Sequence, residues 1–309
     1  MILIVTPNPA LDLTYTVPTF RKHRSNRVAE VAAQAGGKGV NVARVLTALG
    51  RENRCVLPLG GPTGAAVEAD LQAAGLTHTP VRIAGETRRT VAVVDTSDAT
   101  MLNEPGPKLA PEEWAALLAE VDRQLPAAGV LVLSGSLPRG LPADAYADLV
   151  TLAHRHAVPC VLDADGPALT AALAAGPTVV KPNAAELTAA TGIADVPAAA
   201  TALLARGAGA VLASLGPDGL LAVDRDGAWR CTPPAAVTGN PTGAGDSVVA
   251  ALAAGLAGHA GWPAILPDAV ALSAATVLAP RAGEFDLAAY RHFRSAATAH
   301  AVPAPRPGS

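Results

Sequence analysis

Short, continuously apolar runs alternate with Ala-rich stretches along most of this chain. Apolar runs without polar alternation are typical of parallel strands that are covered on both faces. The runs predicted as strands are 2–6, 55–59, 130–134, 160–163, 178–181 and 210–215. The stretches predicted as helices include 40–49, 65–74, 111–125, 143–156 and 184–191. Alternation of strands and helices predicts an α/β fold with a mostly parallel, doubly wound central sheet.

Two regions depart from this pattern and predict a second, smaller sheet. Alternating apolar and polar residues are typical of half-exposed strands. They occur at 11–17, 27–33, 90–95 and 100–103. We expect these segments to form a β-sheet lid inserted into the main domain at 11–33 and 88–104. Such a sheet could cover a site or pair with a second copy of the chain.

The C-terminal part predicts a β-meander followed by helices. Strands are expected at 220–224 and 229–231, joined by a turn at Asp226-Gly227. After Gly243 the chain is expected to be helical to its end. We therefore predict a single three-layer αβα domain over 1–300, followed by a disordered tail at 301–309.

Composition narrows the class of protein. Half of the residues are hydrophobic and 3% are aromatic, so the core is expected to be aliphatic. The net charge of −3 gives no electrostatic reason to expect nucleic acid or an anionic membrane as partner. Cys55, Cys160 and Cys231 never form Cys-x-x-Cys, which argues against a disulfide framework or structural zinc. The same cysteine pattern fits a reducing compartment, so a cytoplasmic protein is expected. The apolar stretch 248–266 is broken at Pro263 and is predicted as buried helix, not as a membrane span.

A glycine-rich turn at 239–247 opens directly into an Ala-rich helix. The first amides of a helix lack internal acceptors and carry the positive end of its dipole. Gly243 and Gly245 would let an anion approach these amides closely. Asp246 then lies in the first turn, where a carboxylate could take a proton while the amides hold a migrating phosphoryl group. The alternative is an ordinary turn with an aspartate that complements the helix dipole.

A second glycine cluster, 36–39, also precedes a predicted helix. Lys38 supplies a positive charge, and Asn41 offers both a donor and an acceptor. Together they suit a polyhydroxylated or phosphorylated ligand, although a tight turn with a solvated lysine is the alternative. Asp12 follows the first strand, at the edge where open α/β sheets bind ligands, and it could accept hydrogen bonds from sugar hydroxyls.

Further candidates follow other predicted strands. Asn183 and Glu186 are three residues apart at a helix start, where they suit either hydrated Mg²⁺ or a capping box. A guanidinium is well shaped to bind phosphate, although each arginine alone could be an ordinary surface residue. The arginines in or near the lid and the strand ends are Arg27, Arg88, Arg89 and Arg139. The segment 214–219 is either a nucleotide-side loop or a plain turn.

Together, the two glycine motifs resemble the paired signatures of the ribokinase-like PfkB family of carbohydrate kinases. The resemblance extends to 6–12, 26–28, 102–108, 134–138, 181–183 and 214–216, and so covers nearly the whole chain up to about residue 285. Within the family, Gly-Gly-Lys-Gly at 36–39 and Asn-Glu-Pro-Gly-Pro at 103–107 most resemble the branch of 1-phosphofructokinases and tagatose-6-phosphate kinases. The motifs are specific for the family and much less specific for the sugar.

The resemblance implies a ribokinase-like αβα sandwich with a β lid that is often shared across a homodimer. It implies MgATP as phosphoryl donor and a ketohexose phosphate as acceptor. It also implies a role for each matching residue. Asp246 matches the catalytic base, and the anion hole is matched by Gly243, Ala244 and Gly245. Substrate-side positions are matched by Asp12, Gly37, Lys38 and Asn41, and Arg88 matches an arginine that reaches the substrate phosphate. Arg27 and Arg139 are additional candidates for binding the substrate, on the chemistry of their guanidinium groups. Nucleotide-side residues are expected at Lys181, Asn183, Ser214, Gly216, Gly219 and Ser247, and Asn183 with Glu186 would organise Mg²⁺ through water.

One departure from the family pattern matters. The common pattern has Asp-Thr before x-Gly-Ala-Gly-Asp, and here those positions are Asn240 and Pro241. Pro241 restricts Asn240 to extended conformations and removes one backbone donor. The base and the anion hole are unaffected, whereas a monovalent-cation site and the shape of the loop are not expected to follow the pattern.

The resemblance leads to the prediction of an ATP-dependent phosphohexokinase that converts fructose 1-phosphate to fructose 1,6-bisphosphate. Tagatose 6-phosphate, fructose 6-phosphate or an unphosphorylated sugar are the alternative acceptors. A non-catalytic sugar or nucleotide sensor is the alternative of another class. The intact Asp246 argues against a sensor, since pure binding has no need of a base.

Overall fold

A computed structural model describes residues 1–96 and 98–303. The strands are β1 (Ile2–Val5), β2 (Ala10–Thr16), β3 (Glu30–Gly36), β4 (Asn53–Leu59), β5 (His78–Arg82), β6 (Arg88–Val94), β7 (Ala99–Asn103), β8 (Val130–Ser134), β9 (Cys160–Asp163), β10 (Val179–Val180), β11 (Ala210–Ser214), β12 (Leu220–Asp224), β13 (Ala228–Cys231) and β14 (His300–Val302). The α-helices are α1 (Lys38–Ala48), α2 (Gly61–Ala73), α3 (Pro111–Gln124), α4 (Ala145–Arg155), α5 (Gly166–Ala172), α6 (Ala184–Thr191), α7 (Val196–Ala205), α8 (Ala244–Ala257), α9 (Trp262–Val277) and α10 (Leu287–Ala296).

The main sheet of the described residues has ten strands in the order β14-β13-β12-β11-β10-β9-β8-β1-β4-β5. Strands β5 to β11 in this order are parallel, and the β12–β14 end is antiparallel. Side chains of β1 alternate between two cores, with Ile2 and Ile4 on one face and Leu3 and Val5 on the other. Helices α1, α2, α8 and α9 cover the first face, and α3 to α7 cover the second. This confirms the predicted three-layer α/β architecture with a mostly parallel sheet.

The predicted small sheet is also present, with the order β3-β2-β6-β7. Its residues are mostly half-buried or exposed. Strand β3 begins at Glu30 and continues to Gly36, later than the predicted 27–33, because its ladder with β2 runs on to the Ala10–Gly36 pair. The lid strand therefore leads directly into the glycine turn before α1.

The predicted meander is confirmed as β12 and β13, whose turn is closed by Asp224 Oδ1 accepting from the amides of Asp226 and Gly227. Two expectations for the C-terminal region are wrong. The chain after Gly243 is not helical to its end, and the predicted tail does not begin at 301, because β14 pairs with the free edge of β13. The rest of the predicted tail, 304–309, lies outside the described residues.

The apolar stretch 248–266 is buried helix, as predicted, but it is divided between α8 and α9. The break falls at 258–261, where His259 adopts a positive φ of 54°. No single helix within the described ranges is long and apolar enough to cross a membrane. The α6–α7 pair, bent by 55°, passes the same length and composition test when its two helices are taken together.

Candidate functional site

The two glycine motifs meet beside the central sheet. Gly37, with φ of 107°, precedes α1, and Gly243, with φ of 85°, precedes α8. These left-handed conformations favour glycine. At the junction, Asn41 Nδ2 donates to Asp246 Oδ2 at 2.8 Å, although the two residues are 205 positions apart. The fold therefore places the predicted base against the predicted substrate motif.

Asp246 is nearly inaccessible, with 6% of its surface exposed. Burial, assisted by the negative charge of Asp163, raises the pKa of Asp246 to about 7. The Asn41 hydrogen bond and the positive charges of Lys38 and Lys181 oppose this rise. A carboxyl with a pKa close to neutral can be deprotonated at physiological pH and still bind a proton strongly, which suits a general base.

A charged cluster that sequence reasoning did not identify lies next to Asp246. Asp163, at the end of β9, is 1% exposed, and its Oδ1 lies 3.2 Å from Lys181 Nζ and 3.5 Å from Lys38 Nζ. Ser134 Oγ donates to the other carboxylate oxygen at 3.0 Å. Burial disfavours the charged form of Asp163, but the two lysines outweigh it and hold its pKa below the ordinary value. The position of this acid at the carboxyl end of a predicted strand was the available signal.

The start of α8 offers unpaired amides to an anion. The first hydrogen bond of the helix is donated by Ser247 N to Gly243 O at 3.0 Å, so the amides of Gly245 and Asp246 precede it. The Ala244 amide, in contrast, donates to Pro241 O at 3.2 Å. The prediction that all three amides at 243–245 hold the anion is therefore not matched in this conformation, because the turn itself engages the middle one.

A cleft of about 850 Å³ opens beside this helix start. Asn183, Ser214, Gly216 and Gly219 line it, as expected for nucleotide-side residues. Apolar side chains from 233–237 and from α8 and α9 form much of the remaining wall. The volume is within the usual range for a small-molecule or cofactor site. The cleft therefore joins an apolar compartment to the amides of α8.

Two residues predicted to face the nucleotide do not line this cleft. Ser247 is fully buried, and its hydroxyl lies 2.6 Å from Thr276 Oγ1, so it joins α8 to α9 instead. This corrects the prediction for Ser247, because its side chain points to the helix interface. Lys181 is 5% exposed and its ammonium group faces Asp163. A Cβ at Gly245 would lie 3.6 Å from Lys181 Nζ, so the ammonium group lies directly next to the first turn of α8.

Asn183 and Glu186 form the capping box that the sequence allowed. Asn183 Oδ1 accepts from Glu186 N at 2.8 Å, and Glu186 Oε2 accepts from Asn183 N at 2.9 Å. Among the side chains that the structure describes, no group of three or more His, Cys, Asp or Glu could hold a metal. Mg²⁺ at this place would therefore depend on water and substrate phosphates for most of its ligands, which is its common mode of binding.

The substrate-side residues lie where the lid joins the core. Asp12 on β2 accepts a hydrogen bond from Thr90 Oγ1, and burial raises its pKa. Its carboxylate packs against Gly36, where any Cβ would overlap it. Arg88 donates to Asn8 O and Glu104 O, both at 3.1 Å. The lid edge thus carries a carboxylate and a guanidinium in one region.

Asn8, which was not singled out from the sequence, connects the segments around this region. It is 4% exposed, and its Nδ2 donates to Ser136 Oγ at 3.0 Å and to Pro105 O at 3.3 Å. Arg139 Nε donates to Gly106 O at 3.0 Å, so Arg88 and Arg139 are both held by the 104–106 segment. Arg27 lies exposed in the connection between β2 and β3, and the contacts that hold the other two arginines do not include it.

Proteins of known function resemble this chain in sequence, and solved structures resemble it in architecture. Residues 7–288 match the family described as pfkB family carbohydrate kinase. A 1-phosphofructokinase from Rhodobacter capsulatus is 41% identical over 260 residues, which cover 81% of this chain and 82% of the relative. A tagatose-6-phosphate kinase from Staphylococcus epidermidis is 33% identical over 264 residues, 83% of this chain and 85% of the relative.

A solved structure agrees with this assignment. Phosphofructokinase-2 from Escherichia coli, in complex with potassium, superimposes with a TM-score of 0.90 at 30% identity, and the match covers 95% of this chain and 98% of that one. The extent of the family match and the identity to two sugar-phosphate kinases lead to one conclusion: the chain belongs to the pfkB family of carbohydrate kinases.

Proposed function

We propose that this carbohydrate kinase transfers the γ-phosphoryl group of ATP to fructose 1-phosphate and forms fructose 1,6-bisphosphate. The observation that carries the proposal is the 2.8 Å contact between Asn41 and Asp246. It joins the substrate motif to a buried carboxylate at the start of α8, beside the cleft. The name of the 41% identical relative supports the choice of acceptor.

In the proposed reaction, Asp246 accepts the proton of the acceptor hydroxyl as that oxygen attacks the γ-phosphorus. A bond forms between this oxygen and phosphorus, the bond to the β–γ bridging oxygen breaks, and ADP leaves with the electron pair. The amides of Gly245 and Asp246, at the positive end of the α8 dipole, stabilise the charge on the transferring group. Lys38 and Lys181 are close enough to Asp163 to add positive charge on the same side.

ATP fits the cleft because its apolar wall suits a nucleobase and its polar end meets unpaired amides. For Mg²⁺, Asn183 and Glu186 would hold the ion through water, with Glu186 supplying the carboxylate. When bound, Mg²⁺ would neutralise phosphate charge. An Asn183→Ala or Glu186→Gln variant is expected to weaken the binding of MgADP more than that of metal-free ADP, which calorimetry would measure.

The basic residues support a phosphorylated acceptor. Arg88 and Arg139 use their Nε atoms on backbone carbonyls, which leaves other guanidinium donors for a phosphate. Lys38 and Arg27 would add charge to the same anion. An ADP-release assay with fructose 1-phosphate, tagatose 6-phosphate, fructose 6-phosphate and unphosphorylated sugars tests the proposal. Preference for another sugar would replace the acceptor, and ligand binding without ADP release would favour a sensor.

The lid supports a proposed homodimer. It exposes apolar side chains, with Val31 at 60%, Met101 at 52% and Leu102 at 57%. A second copy that covers these residues would remove them from water and hold the lids over both sites.

We also propose a cytoplasmic location, supported by three buried cysteines that are unpaired in the described structure.

The turn before α8 departs from the family pattern at Asn240. The E. coli structure contains potassium, and a cation needs oxygen ligands. Here the family's Asp is Asn240, whose Nδ2 donates to Pro280 O at 3.3 Å. The Nδ2 group supplies no oxygen ligand at this point, and no step of the proposed reaction is assigned to potassium.

A further inference from the structure

The turn before α8 is tied to the segment that follows α9 through one residue, Asn240. Its backbone amide donates to Val277 O at 2.9 Å. Its side-chain Nδ2 donates to Pro280 O at 3.3 Å, and its Oδ1 accepts from Thr242 N at 3.0 Å. The backbone amide and the side-chain Nδ2 thus join the two segments, whereas the side-chain oxygen closes the turn itself.

Packing on both sides of Asn240 holds the same two segments together. Gly239 lies so close to Val277 that any Cβ would overlap the Val277 carbonyl oxygen. A Cβ at Gly243 would lie 3.0 Å from the Cα of Ala282. The turn therefore lies directly on the 277–283 segment, with the Asn240 side chain between the two close approaches.

The amides of α8 take their position from this turn. Pro241, next to Asn240, accepts the hydrogen bond of the Ala244 amide at 3.2 Å, and Gly243 accepts the first helical bond. A shift of the turn would therefore move the amides of Gly245 and Asp246, which are proposed to contact the phosphoryl group. Asn240 is exposed and does not line the cleft, so it acts through the turn and not by contact with substrate.

The side chain at position 240 determines whether a hydrogen-bond donor or an acceptor faces the Pro280 carbonyl oxygen. A carboxylate here would direct an oxygen at the Pro280 carbonyl oxygen, and two acceptors repel unless a cation lies between them. The Asn240 amide supplies an N–H donor at that point instead. We propose that Asn240 is a positioning residue whose amide performs the bridging that a monovalent cation would perform for a carboxylate. Nucleotide binding and phosphoryl transfer by this chain are then independent of potassium, an inference that rests on the proposed kinase function.

The experiment compares wild type and Asn240→Asp in KCl and in tetramethylammonium chloride at equal ionic strength. ADP affinity is measured by calorimetry without sugar, and kcat is measured with fructose 1-phosphate. Arg281→Gln is the matched control, because it makes the same one-unit change of charge in the neighbouring turn, and its guanidinium lies 4.0 Å from Glu284. Circular dichroism and thermal unfolding check that each variant folds.

Wild type and Arg281→Gln are expected to bind ADP equally well in both salts, within about twofold. Asn240→Asp is expected to bind ADP about five- to tenfold more weakly in tetramethylammonium, the effect of one lost hydrogen bond and the new repulsion, and to recover in KCl. A potassium requirement in wild type would overturn the proposal, as would an Asn240→Asp variant that behaves the same way in both salts. Normal ADP binding without turnover of any sugar would instead refute the proposed function and leave the role of Asn240 supported.

Discussion

Replacing Asp246 by Asn removes the proposed base and leaves its surroundings almost unchanged. The amide has nearly the same shape as the carboxylate. Its oxygen can still accept the hydrogen bond that Asn41 Nδ2 donates to Asp246 at 2.8 Å in the wild type. Loss of a general base lowers kcat by about 10²- to 10⁴-fold. This corresponds to about 3–5 kcal/mol in the activation free energy. The KM for ATP is expected to change little, since Asp246 does not line the apolar cleft.

The same substitution is expected to increase stability at neutral and alkaline pH. The folded protein holds the Asp246 proton up to a pKa of about 7, compared with an ordinary value of 3.8. The stability that the protonated carboxyl provides is therefore complete below about pH 4 and is lost as the pH rises toward 7. One pKa unit is worth about 1.4 kcal/mol, so ionised Asp246 reduces the free energy of unfolding by about 4 kcal/mol at most. The side-chain amide of the Asp246→Asn variant does not ionise, so the variant avoids that loss.

An ADP-release assay at saturating ATP and fructose 1-phosphate measures kcat, and urea unfolding at pH 8 measures stability. Asp226→Asn is the control, because Asp226 is exposed in the β12–β13 turn away from the cleft. It should leave both quantities unchanged. Turnover of Asp246→Asn within a few-fold of wild type would refute the assignment of Asp246 as the base. A variant that lost both activity and stability would show that the carboxylate is structural.

Four further outcomes are expected. First, kcat/KM should rise with pH through an apparent pKa near 7 in wild type, because the proposed base must be ionised in the free enzyme, and a pH-rate profile would test this. Second, Arg88→Gln should raise the KM for fructose 1-phosphate about 10- to 100-fold with little change in kcat, the effect of losing one charge-assisted bond to phosphate; steady-state kinetics with an unphosphorylated sugar as control would show no such shift. Third, Lys181→Met should lower the free energy of unfolding, as measured by chemical denaturation, by about 3 kcal/mol, because the buried Asp163 then keeps only one of its two lysine partners. Fourth, Met101→Glu on the exposed lid should convert the proposed dimer to monomer in light scattering, and an unchanged mass would contradict the lid interface.

The main sheet could be predicted from the sequence because its strands are continuously apolar. Residues such as Leu3, Val132 and Val161 are completely buried, so burial alone explains their pattern. Strand β14 could not be predicted in this way. It is short, and two of its three residues are exposed, so it exists because β13 offers it a free edge. That pairing joins residues about 70 positions apart, which no local pattern reveals.

In the candidate site, too, contacts between residues close in sequence could be predicted, whereas contacts between residues far apart in sequence could not. Asn183 and Glu186 meet within one helical turn, so their spacing already allowed the capping box as one of two interpretations. Ser247 was misassigned because the glycine motif does not reveal which side of α8 faces the cleft, and α9 decides that through Thr276. Asn8 holds segments more than 90 positions away. Its importance depends on how three loops converge, which is a property of the fold.

Burial disfavours the charged forms of both Asp246 and Asp163, and the opposite directions of their pKa shifts follow from how two lysines are shared. Both ammonium groups lie within 3.5 Å of one oxygen of Asp163, whereas the hydrogen bond to Asp246 comes from the neutral amide of Asn41. The lysines therefore stabilise the charge of Asp163, and its negative charge in turn raises the pKa of Asp246. Lysines placed on Asp246 itself would depress its pKa and make it a weaker proton acceptor. By pairing the positive charges with the neighbouring acid, the fold keeps cations close to the proposed phosphoryl site and still leaves Asp246 basic enough for its proposed role as proton acceptor.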